Sequence, residues 1–184
     1  MVGSRTLSEA GFLSVSEDEV VGPDADHFTR LVVHHPGAIV IVPLEDEATV
    51  LLVRQFRVAA GRDLLEVPAG KRDVEGEAPE ETARRELEEE IGRFPGELVE
   101  LCQFFNSPGF CDEYTHLFLA RDLRELAGGA RGVTAEEASM TVERVRLADV
   151  DDLVASREIV DAKSIIGLVL TRRYVTGEYG GVSH

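Results

Sequence analysis

What is scarce in this sequence narrows its function first. There is no tryptophan, and only two cysteines occur in 184 residues, Cys102 and Cys111. Neither forms a CxxC pair or a Cys/His group. That excludes the usual zinc and redox-dithiol spacings and predicts free thiols in a reducing cytoplasm. No apolar run reaches the ~18 residues needed to cross a bilayer, so no membrane partner is expected. The opening stretch, MVGSRTLSEAGFLSVSEDEVVG, lacks the basic-then-apolar order of a secretion signal. Positive charge is also short: 19 Lys and Arg against 35 Asp and Glu give a net charge of −16. Such a chain has no basic footprint for nucleic acid. It also repels a phosphate-bearing ligand unless cations or local arginines intervene. Internal repeats and low-complexity linkers are missing too, and the length suits one domain with a small appendage.

The elements that are present alternate between β and α patterns. HFTRLVVHH (27–35) reads as a strand, and after Pro36-Gly37 the apolar run AIVIVPL reads as a buried one. Glu45-Asp46-Glu47 makes a turn, with TVLLVRQFRV as the expected hairpin partner. LLEVPAG (64–70) is a further short strand. Residues 79–91 predict a helix: Pro79 suits the first turn, Glu80 and Glu81 favour its positive end, and Gly92 stops it. Strands are expected at 98–106, at 115–123 and from Met140, with a break at Ser107-Pro108-Gly109 and an acidic, glycine-bearing loop over 126–139. A short helix at 149–156 and an amphipathic helix at 161–176 complete an α+β layout. Residues 1–26 are polar and patchy.

The densest chemistry lies on the helix of 79–91. Glu86 and Glu90, at i and i+4, share a face, with Glu89 adjoining. Exposed, such a face is an ordinary solvated one. Buried, the like charges demand a cation between them, and carboxylates are the hard oxygen ligands that Mg²⁺ or Mn²⁺ prefers. Arg84 and Arg85 are placed to neutralise part of the cluster. Leu87 and Ile91 anchor the apolar side. The glycine-containing loop just before the helix can add a backbone carbonyl to the ligand set.

The segment from Gly70 to Gly92 resembles a Nudix box. Arg85-Glu86-Leu87-Glu88-Glu89-Glu90-Ile91-Gly92 matches the family's helix pattern without a gap, and seven residues separate Glu77 from Arg85, as that pattern requires. Two departures are visible: the loop between Gly70 and Glu77 carries one extra residue, and Arg93 takes the final apolar position, with Phe94 beside it. The resemblance continues through FTRLVVHHPGAIVIVPL, LLVRQFRVAAGRDLLEVPAGK and FFNSPGFCDEYTHLFLARDL, which are similar to the ADP-ribose pyrophosphatase branch. In that branch a proline lies sixteen residues past the last box glycine, and Pro108 has that place here.

The resemblance implies an α/β/α sandwich with a mixed central sheet spanning 37–184, and a small N-terminal β extension over 1–36. That extension would exchange between the subunits of a homodimer. It implies Mg²⁺-dependent hydrolysis of ADP-ribose to AMP and ribose 5-phosphate, with Mn²⁺ as a substitute metal. Carried over residue by residue, Glu86 and Glu90 match the principal metal ligands, Glu89 a third carboxylate with a metal-binding and catalytic role, and Ala69 a backbone-carbonyl ligand. Arg57 matches a diphosphate contact. Arg30, Glu66, Glu113, Pro108 and Gly109 fall near the substrate, and adenine would stack near Phe28 or a residue of the partner subunit. The general base is expected from the late acidic loop, at Glu136 or Glu137. The five histidines show no ligand spacing and read as structural or surface residues.

Two other readings share parts of this pattern. A broader nucleoside diphosphate sugar hydrolase, acting on GDP-mannose or ADP-glucose, would keep the box and the clamp and differ in base and sugar contacts. A non-catalytic ADP-ribose sensor would be expected to have lost box carboxylates, and here they are intact.

Overall fold

The computed structural model describes residues 1–132 and 139–182. Along the chain run β1 (Gly3–Ala10), β2 (Leu13–Val21), β3 (His27–His34), β4 (Ala38–Pro43), β5 (Thr49–Arg57), β6 (Arg62–Glu66) and β7 (Ala69–Lys71). Helix α1 (Pro79–Ile91) follows, then β8 (Arg93–Phe94), β9 (Glu97–Phe105), β10 (Tyr114–Arg121), β11 (Arg124–Glu125) and β12 (Thr141–Arg146). A 3₁₀ turn (Leu147–Asp149), α2 (Val150–Ala155) and α3 (Ala162–Val175) complete the order. No helix among the described residues is long and apolar enough to cross a membrane.

The apolar run at 38–43 lies at the centre. β4 pairs in parallel with β10 and antiparallel with β7, in a mixed sheet of order β7-β4-β10-β9. Its side chains alternate between two cores, as a strand's period of two dictates. Ile39 and Ile41 pack with Ala83, Leu87 and Ile91 of α1, whereas Val40 and Val42 pack with Leu168 of α3. The expected sandwich of helices on both faces of a mixed sheet is therefore found.

Two local expectations are corrected. β5 is not the hairpin partner of β4: it sits between β12 and β6 in a separate antiparallel sheet, and only a single bridge, Leu44 to Val50, joins the two runs. Both runs are apolar on both faces, so periodicity gave no hint of which neighbour each would take. LLEVPAG is not one strand. It breaks at Pro68, which has no N–H to donate, so β6 stays with β5 and β7 crosses to β4. The polar N-terminus folds as the small β extension that was expected: β1, β2 and β3 form an antiparallel sheet whose outer strand is almost wholly exposed. β3 is the strand expected at 27–35, whereas β1 and β2, with little buried apolar surface, left their bounds unmarked. The hydroxyls of Ser4 and Ser16 donate to Asp18 Oδ1 at 2.6 and 2.8 Å.

Helix α1 begins and ends where its sequence requires. Pro79 opens it, the Glu81 carboxylate accepts from the Ala78 N–H at 3.1 Å, and Gly92 closes it in a left-handed turn with φ 63°. A Cβ at Gly92 would lie 2.5 Å from the Ala130 nitrogen, so the site excludes other residues on space as well as on φ. Leu87 is fully buried between α1 and the sheet. Leu87→Ala is expected to lower unfolding stability by about 2–5 kcal/mol, read by urea denaturation as a lower midpoint at an unchanged m-value.

Candidate active site

The helix that carries the carboxylates buries two of them. Glu86 and Glu90 are each 7% exposed, although they lie one turn apart on the same face. Arg85 answers part of this charge. Its Nη1 donates to Glu86 Oε1 at 2.7 Å and to Glu89 Oε2 at 3.1 Å. Its Nε and Nη2 reach the two oxygens of Glu77, each at 3.3 Å. That contact holds the Glu77 carboxyl below the ordinary range, against a smaller upward push from burial. Arg84, expected to share in neutralisation, turns away: it donates to the Pro95 carbonyl at 2.9 Å and its guanidinium lies over the Phe94 ring.

The preceding loop closes over this face. The Ala69 N–H donates to Glu90 Oε2 at 3.3 Å. A Cβ at Gly70 would fall 1.9 Å from the Glu86 carboxyl carbon, so only glycine lets the strand end lie against that carboxylate. As the side chains lie, no three carboxylate, imidazole or thiol groups converge into a ligand set among the described residues, and Arg85 stands between Glu86 and Glu89. The donors nonetheless fit a divalent cation. They are hard oxygens on a rigid helix, buried enough to need a counter-charge, with backbone brought close by a glycine.

A second charged group faces the first. Glu66, at the end of β6, is 1% exposed. It accepts from Arg57 Nε at 2.9 Å and from Nη2 at 2.8 Å, a two-pronged fork, and from Lys163 Nζ at 2.5 Å. Asp161 adds a carboxylate oxygen 2.9 Å from the same ammonium. Burial pushes the Glu66 carboxyl up, but Arg57 and Lys163 outweigh it and the net shift is downward. The same fork raises the pKa of Arg57. Among the described residues Arg57 Nη1 makes no hydrogen bond, so a cationic edge remains for a ligand.

Both groups line one cleft of about 930 Å³. Arg57, Ala69, Glu86, Glu89, Glu90 and Glu113 all face it, and Glu66 stands directly behind Arg57. Pro108 and Gly109 form the turn after Ser107, which itself lines the cleft. Phe28 and Arg30 do not reach it within their own chain. They lie on β3, where the Arg30 guanidinium rests 4.4 Å from the Phe28 ring centroid. Glu136 and Glu137 lie outside the described residues. Sequence reasoning missed Gln55, Lys163 and Asp161, which also line the cleft. Gln55 carried a faint signal, two residues before Arg57 on one strand face. Lys163 carried none, since only the docking of α3 against β4 brings it to Glu66.

Residues 33–166 match the NUDIX domain profile. The chain is 41% identical over 147 residues to an ADP-ribose pyrophosphatase of Bacillus subtilis, covering 80% of this chain and 78% of that one. It is 37% identical over 176 residues to an ADP-ribose pyrophosphatase of Mycobacterium tuberculosis, covering 96% and 84%. A crystal structure titled as an ADP compounds hydrolase superposes with a TM-score of 0.83 at 22% identity, over 96% of this chain and 94% of that one, a likeness of fold. Hydrolases with the NUDIX domain generally work with divalent metal ions.

Two outcomes test the site. Gly70→Ala forces the Glu86 carboxylate aside, so cation affinity is expected to fall about 10- to 100-fold while the melting temperature hardly moves. Isothermal titration with Mn²⁺ reads the first and calorimetric melting the second. Glu66 has a folded pKa below its ordinary value of 4.5, so its stabilisation is present above pH 4.5 and is lost as pH falls through the folded value. Denaturant unfolding at stepped pH should show that acid loss in the wild type and a flatter acid limb in Glu66→Gln.

Proposed function

The chain belongs to the NUDIX family, and from that premise we propose that it hydrolyses the diphosphate of ADP-ribose to AMP and ribose 5-phosphate. The observation that carries the reading is a single cleft joining the buried carboxylate face of α1 to the open edge of Arg57. An acidic protein holds an anionic substrate only where such counter-charges are fixed.

Ala69, Glu86, Glu89 and Glu90 would hold Mg²⁺, with Mn²⁺ as a substitute. The ion would supply positive charge to the diphosphate oxygens and activate water. Arg57, oriented by Glu66, clamps the diphosphate. The fork is pre-formed, so binding costs little side-chain ordering. Lys163 keeps Glu66 ionised and the fork in place. Water attacks one phosphorus and the P–O bond of the bridge breaks, which gives the two monophosphates. Glu136 or Glu137 is proposed as the base that takes the water's proton.

We further propose a homodimer with exchanged N-terminal sheets. Support comes from Phe28 and Arg30, which miss their own chain's cleft and sit on the exposed edge strand β3, free to serve a partner's site. The free thiols of Cys102 and Cys111 suit a reducing cytoplasm.

The test is product analysis with ADP-ribose and Mg²⁺, beside ADP-glucose and GDP-mannose. AMP and ribose 5-phosphate should form fastest from ADP-ribose. Glu90→Gln, which removes one charge from the ligand set, is expected to lower kcat by about 10²- to 10³-fold. Faster turnover of another sugar nucleotide would replace the substrate and retain the hydrolase. Binding of ADP-ribose without turnover would make the protein a sensor.

A further inference from the structure

Among the described residues, three buried side-chain polar atoms lack a hydrogen-bond partner: Gln55 Nε2, Arg72 Nε and Thr171 Oγ1. Only Gln55 of these lines the cleft, and it is 4% exposed. A buried amide donor without an acceptor destabilises the fold. The position does not call for one. Val53, Gln55 and Arg57 alternate onto one face of β5. Val53 belongs to the apolar core with Leu87 and Ile91 of α1, and Arg57 reaches the cleft. Gln55 lies between them, where another apolar residue would simply extend the core.

We infer that Gln55 is a substrate-binding residue whose Nε2 donates to an anionic oxygen of the bound diphosphate, beside Arg57. The inference rests on the diphosphate hydrolase reading above. A primary amide offers two N–H donors, and no protein acceptor among the described residues meets Nε2, which leaves that role to water in the free protein and to a ligand when the cleft is filled. Neutrality is the second point. A Lys or Arg here would bind the anion but oppose a cation held by Glu86 and Glu90, which line the same cleft. A carboxamide grips the diphosphate without that repulsion.

The test separates binding from packing. Gln55→Met keeps the bulk and removes the unpaired donor. Its melting temperature without ligand should hold or rise by about 2–4 °C, since the uncompensated burial disappears. Its affinity for a non-hydrolysable methylene analogue of ADP-ribose, and for inorganic pyrophosphate, should fall about 10- to 100-fold in titration calorimetry with Mg²⁺. Gln55→Glu keeps the shape but replaces the donor with a charge, and should bind both probes more weakly still. A lower melting temperature for Gln55→Met with both affinities unchanged would make Gln55 a packing residue and overturn the inference. If the wild type binds pyrophosphate but not the analogue, the ADP-ribose reading fails, and the pyrophosphate loss in Gln55→Met still decides the role of Gln55. If the wild type binds neither probe, both readings fall.

Discussion

Two carboxylates of like charge, one helical turn apart and each almost covered by protein, are the constraint around which this molecule is arranged. Glu86 and Glu90 would be trivial on an open helix face, where such pairs repel by a few tenths of a kcal/mol. At 7% exposure they need a fixed counter-charge. Arg85 supplies part of it from within α1, drawing in Glu77 and Glu89 as well. The sheet supplies the rest of the enclosure, since the glycine at position 70 lets β7 lie directly against Glu86. The apolar side of the same helix, through Leu87 and Ile91, fixes the carboxylates relative to β4. A residue on the buried stripe therefore sets the position of one on the charged stripe.

The opposite wall of the cleft solves the complementary problem. There a carboxylate is buried to hold cations rather than the reverse. Glu66 grips Arg57 on one side and Lys163 on the other, and its depressed pKa reflects their combined pull against burial. The pair of walls explains how a chain of net charge −16 can present a site for an anion. Excess negative charge elsewhere favours solubility, while the local balance in the cleft is set by a few fixed groups.

Much of this was legible in the sequence, and the limits are physical. Helix α1 could be read to within a residue because its signals are local: a proline at the start, a glycine at the end and a helical repeat between. The grouping of Glu86, Glu89 and Glu90 followed from that helix alone. Strand existence was readable from apolar runs, but strand partnership was not. β4 and β5 are apolar on both faces, and a covalent turn between them did not make them a ladder. β1 and β2 hide little apolar surface, so they left no pattern. Gln55 and Lys163 needed the fold itself. One is marked only by a donor without an acceptor, the other by an ammonium carried to Glu66 across nearly a hundred residues of chain.

The crowded carboxylates of α1 form the proposed cation site, with Arg85 holding part of their charge. Electron paramagnetic resonance of Mn²⁺ titrated into the ligand-free protein tests it most directly, because bound Mn²⁺ loses the sharp signal of the free ion. Saturable binding by the wild type is expected, weakened by Glu86→Gln and strengthened by Arg85→Gln, which withdraws the competing cation. Binding that is undiminished in Glu86→Gln, or that does not respond to Arg85→Gln, would contradict it.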